Sequence, residues 1–106
     1  MLYSTTEFIP GKRIVAYKGL VKGATVQSKH IGKDFMAGLK TIVGGEIKGY
    51  SEMLNDAREI ALQRMTKEAE ELGANGIIGL RLQSAMIMQG ATEMIAYGTA
   101  VVLEDE

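Results

Sequence analysis

The sequence predicts an α+β subunit in which helices pack on one face of an antiparallel sheet. Three observations predict it. Residues 51–72 repeat apolar side chains at helical spacing, residues 77–88 and 93–103 alternate with strand period around a glycine turn, and residues 13–26 are β-branched and aromatic. At 106 residues the chain fits a single domain, 1–106.

Along the chain, Pro10 and Gly11 close a short N-terminal segment, residues 1–9. The first long strand, 13–26, contains Gly19 and Gly23, which suggest bends or a close backbone approach. A short helix is predicted over 32–43, with Phe35, Leu39, Ile42 and Val43 on one face. The main helix starts at Ser51, whose hydroxyl suits an N-cap, and runs to Leu72. Its buried stripe is Met53, Ala57, Ile60 and Ala61, Met65, Ala69 and Leu72. Glu52 and Asp56 favour the positive end of the dipole, Arg64 and Glu68 stand one turn apart, and Gly73 is the left-handed stop.

After a turn at Asn75 and Gly76 comes a hairpin with Gly90 and Ala91 as its loop and Gln89 opposite Thr92, a type II′ arrangement. This register sorts the residues into two faces. The bulky one (Ile78, Leu80, Leu82, Met86 and Met88 with Ile95, Tyr97, Val101 and Leu103) is expected under the helices. The small-residue one, which includes Gly79, Arg81, Gln83, Ala96, Gly98 and Ala100, is expected to meet another subunit.

Several function classes are disfavoured. With 12 basic and 13 acidic residues scattered along the chain, no charge pattern calls for nucleic acid or an acidic membrane surface. The absence of cysteine removes disulfides, thiolate nucleophiles and Cys-based metal sites. The start, MLYSTTEFIPG, has no basic region leading into an apolar core, so a cytoplasmic protein without a membrane span is expected. The stretch GGEIKGYS, residues 44–51, approaches the phosphate loop G-x-x-x-x-G-K-[ST], but Tyr50 replaces the lysine and a helix, not a strand, is predicted before it. It reads as a bend between helices.

Beyond these patterns, DFMAGLKTIVGGEIKGYSEMLNDAREIA, LGANGIIGL and YGTAV together resemble the YbjQ-like family of small bacterial and archaeal proteins. The resemblance covers nearly the whole chain. It implies an α+β subunit of β-α-β-β type, with helices on an antiparallel sheet, assembled as a ring-like homopentamer. The family bears a heavy-metal-binding label but supplies no catalytic motif. In this chain the soft donors are 7 Met and one His. Met86 and Met88 on one strand face read as core, and His30 stands alone, so no metal site or cofactor is assigned. The residues that draw attention within the family-like motifs are Asp34, Tyr50 and Arg58. Arg58 could grip a small anionic ligand in bidentate fashion while Tyr50 donates its hydroxyl. Alternatively, Asp34 and Arg58 pair to lock elements or subunits together. No catalytic residue is assigned, and the reading is a homo-oligomeric ligand-binding or scaffold protein, with metal binding and a boundary-sited enzyme as the alternatives.

Overall fold

The chain leaves β1, Leu2–Tyr3, crosses a turn, and enters a long strand β2, Lys12–Ser28. Among the described residues it continues with the helix α1 (Lys48–Glu71) and a hairpin of β3 (Gly76–Met88) and β4 (Ala91–Asp105). This computed structural model describes residues 1–28 and 48–106. The predicted helix over 32–43, Asp34, His30 and the glycine pair at 44–45 therefore lie outside the described residues. No helix among the described residues is long and apolar enough to cross a membrane.

The four strands form one sheet in the order β1-β3-β4-β2. β4 pairs antiparallel with both neighbours, whereas β1 runs parallel to β3, so the sheet is mixed and not wholly antiparallel. Because β2 and β3 both oppose β4, they run parallel to each other, and α1 lies in the crossover between them. At the open end of the β2–β4 ladder, Lys12 pairs with Asp105 and Arg13 Nη2 with Glu104 Oε2 at 2.8 Å, each directly across the strands.

The helix starts at Lys48, a turn earlier than expected, so Ser51 lies inside it and is not the N-cap. Met53, Ala57, Ala61, Met65 and Ala69 are buried as the periodicity predicts, while Leu72 is exposed beyond the end. Arg64 does not pair with Glu68; its Nη1 donates to the Ala24 carbonyl at 2.7 Å and so ties the helix to β2. The end is a Schellman closure. Gly73 has φ +83°, its N–H reaches the Glu70 carbonyl at 3.0 Å, and Ala74 N–H reaches the Ala69 carbonyl at 3.0 Å.

The two sheet faces are exchanged relative to expectation. In the hairpin, Met86 and not Gln89 opposes Thr92, and the loop is Gln89 and Gly90. Gly90 carries φ +80° at the second loop position, whereas a type II′ turn needs its glycine first. An odd shift in register sends paired residues to opposite faces. The helix consequently packs on the small-residue side, where Met94, Ala96 and Ala100 join Val21 and Ile77 against Ala57, Ala61, Met65 and Ala69. The bulky set splits. Ile78, Val101 and Leu103 form a second cluster with Ile9 and Ile14, away from the helix.

Close approach explains the choice. A Cβ on Gly23 would collide with the Ala61 carbonyl oxygen and the Met65 nitrogen, both helix backbone. Only a glycine lets the helix lie this near the strand, and the facing alanines continue the same fit along both elements.

Candidate functional site

The three residues singled out from sequence have separate surroundings. Tyr50 is half-buried at the start of α1, and its hydroxyl bonds the Thr92 hydroxyl of β4 at 2.9 Å. That contact pins the first turn of the helix to the sheet. Arg58 is exposed, with Nη1 donating to Asn55 Oδ1 at 2.7 Å on its own helix. No ion pair of Arg58 occurs among the described residues, and Asp34 lies outside them. Two turns of helix thus separate a tyrosine held by the sheet from an arginine held toward water.

A concave site opens on the opposite face of the sheet. Thr99 lies an odd number of residues from Thr92 on a regular strand, so the two hydroxyls point to opposite sides. There a cleft of about 410 Å³ is lined by Glu7, Tyr17, Ile78, Gly79 and Thr99. The N-terminal segment builds its wall. Ser4 N–H donates to the Ile77 carbonyl at 2.9 Å, Leu80 N–H to Ser4 at 3.0 Å and Gly79 N–H to Thr6 at 2.9 Å. Gly79, at φ +61°, makes the bend that lets β3 receive this strap, and Arg81 Nη1 clamps the Thr5 carbonyl at 2.9 Å. Sequence reasoning missed the cleft because its walls come from residues 7, 17, 78 and 99, and no local pattern joins them. The positive-φ demand at Gly79 was the one available signal.

The methionines also differ from their expected roles. Met53, Met65 and Met94 are core, but Met86 and Met88 are 67% and 66% exposed. They stand opposite Thr92 and Ala91, adjacent residues of β4, because the register shifts between them; they do not share one strand face. Their thioethers are open to a soft ion, although no group of three or more His, Cys, Asp or Glu side chains with metal-site proximity occurs among the described residues.

Comparisons with known proteins agree on lineage. A family model described as "Putative heavy-metal-binding" matches residues 1–104. A UPF0145 protein of Vibrio campbellii is 57% identical over 103 residues, covering 97% of this chain and 99% of its own. A UPF0145 protein of Clostridioides difficile is 58% identical over 106 residues, covering 100% and 95%. A third, from Thermotoga petrophila, is 59% identical over 104 residues, covering 98% of both. Among solved structures, a protein of unknown function of the DUF74 family from Pediococcus pentosaceus superposes with a TM-score of 0.61, covering 98% of each chain at 19% identity. This last likeness speaks to fold.

Proposed function

The chain belongs to the YbjQ-like family, and from that premise we propose that it works as a homo-oligomeric binding protein, a ring-like homopentamer in the cytoplasm that holds a small ligand at its subunit boundaries. One observation carries the reading: a single chain leaves large apolar side chains in water along both ends of its sheet. Tyr17, Leu20 and Val26 on β2 and Met86, Ile87 and Met88 on β3 are all more than half exposed. A solvated sheet of a monomer this small is normally guarded by charge at such positions. Covering them with a second copy also supplies burial that a chain of this length lacks.

The ligand in this reading is a small anion. Arg58 keeps guanidinium donors free of any acidic partner among the described residues, and Tyr50 lies earlier on the same helix with its hydroxyl at Thr92. Asp34, the third residue singled out with them, lies outside the described residues. No catalysis is assigned to these residues. Native mass spectrometry of gently purified protein tests both halves, since it reports stoichiometry and retained small molecules together. A pentamer carrying an anion that Arg58→Ala loses supports the reading. A monomer at micromolar concentration refutes it.

A second reading, soft-metal binding, draws on the exposure of Met86 and Met88. Titration with Cu(I) under reducing conditions decides it. Stoichiometric binding removed by Met86→Leu with Met88→Leu supports a thioether site, and no binding retires it.

A further inference from the structure

Among the described residues the sheet is open at both edges, and the two edges differ in chemistry. β3 is covered on its outer side only near its start, by β1 and by the strap at Ser4 and Thr6. Beyond Arg81, residues 82–88 pair only with β4 among the described residues, and every one of them is exposed. Their sequence, LQSAMIM, carries no charge. At the far side of the same sheet, β2 also pairs only with β4 among the described residues. Its sequence, KRIVAYKGLVKGATVQS, carries four cations and no acid.

We infer that the outer edge of β3, over residues 82–88, pairs with the outer edge of β2 of a second copy of this chain, continuing the sheet head to tail. The inference rests on the homo-oligomeric reading above and names the contact that builds it. Self-pairing fails at each edge for its own reason. Lys12 and Arg13 are compensated by Asp105 and Glu104, but two β2 edges laid together would still bring the Lys18 and Lys22 charges of both copies onto adjacent strands, where like charges repel. Two β3 edges laid together would leave β2 bare in every subunit. Pairing β3 with β2 brings a neutral strand to a cationic one and covers both edges with one repeated contact. A head-to-tail contact of this kind closes into a ring or runs on as a filament.

Leu82, Met86, Ile87 and Met88 on β3 and Tyr17, Leu20 and Val26 on β2 are each between 42% and 68% exposed, apolar surface that a neighbouring copy at either edge would cover. Uncovered, an uncharged strand edge of this length is a template for uncontrolled pairing.

The chain has no cysteine, so introduced thiols are unique. The register puts Ala85 in line with Glu93 and Val26, and Gln83 in line with Ile95 and Ala24, all on the face away from the helix. Chains carrying Ala85→Cys together with one of Lys22→Cys, Ala24→Cys or Val26→Cys are oxidised, beside Ala85→Cys alone. The expected result is a ladder of disulfide-linked oligomers ending at the size of the native assembly in at least one double variant, with Ala85→Cys alone remaining unlinked. Dimers from Ala85→Cys alone would mean that β3 pairs with itself, which overturns the inference. Absence of links while light scattering still reports an oligomer would also overturn it and leave the homo-oligomeric reading standing. A monomeric wild type would sink both.

Discussion

Gly23 shows how much one missing methyl group decides here. Alanine at this position puts carbon against the Ala61 carbonyl and the Met65 nitrogen, and neither is a side chain that can swing away. Gly23→Ala should therefore lower stability by about 1–3 kcal/mol or more, read from urea midpoints at unchanged slope. Asn75 is a second such residue. Its side-chain amide accepts from Leu103 N–H at 2.7 Å and donates to the Leu103 carbonyl at 3.0 Å, so one side chain stands in for a rung of the ladder. Asn75→Ala leaves both backbone groups short of partners and should cost about 1–3 kcal/mol, with Asn75→Asp milder because it keeps the acceptor. The sequence marked Asn75 as a turn residue; its actual role needs a strand 28 residues later to be in place. Asp105 gives a pH signature. Its hydrogen bond to Lys12, and then the lysine charge, hold its carboxyl below the ordinary value. A depressed folded pKa means a contribution present at neutral pH and lost as pH falls through that folded value. The pair is exposed, so the effect is small. NMR titration should find the Asp105 carboxyl shift midpoint rising in Lys12→Met, and an unchanged midpoint would show that the pair is not populated.

At the level of elements, helix and strand existence was legible because burial on one side imposes a period on the residue pattern. The stripe from Met53 to Ala69 and the left-handed Gly73 appear where the pattern put them. The face of the sheet under the helix was not legible, since a register change of one odd step exchanges the two faces without altering either strand's own alternation. Bulk was the wrong guide. The helix chooses the face that lets it approach most closely, and Ala96, Ala100 and Gly23 provide it. Ala100→Glu separates the two assignments. With Ala100 fully buried in the helix–sheet core, an unpaired carboxylate there should abolish the folded subunit, so circular dichroism and light scattering should both collapse. Retained helix content with lost assembly would instead return this face to the outside.

Over the whole molecule, the radius of gyration of 17.5 Å stands well above the ~13 Å of a compact chain of this length. The extents, 55 × 24 × 16 Å, describe a slab whose long strands outrun the helix that covers them. Such a shape leaves the far end of β3 with no apolar cover from its own described residues. If assembly supplies that cover, folding is linked to association, and the melting temperature must rise with protein concentration. Scanning calorimetry across a hundredfold concentration range reads this directly; a constant melting temperature would indicate that the subunit is stable without its neighbours.

The chain's own residue pattern determined the main helix, the three long strands, the capping glycine, the family likeness and the absence of any thiol chemistry, because each depends on neighbours within a few positions or on composition. Tertiary structure alone decided which face the helix covers, the parallel β1, the strap that walls the Glu7 and Tyr17 cleft, and the exposure of Met86 and Met88. Those features depend on strand register and on contacts between distant residues. Local patterning favours strands over coils, but it is nearly indifferent to a slip that repacks one sheet face for the other. Here the difference came from close packing of helix backbone on Gly23, a contact between residues some forty positions apart.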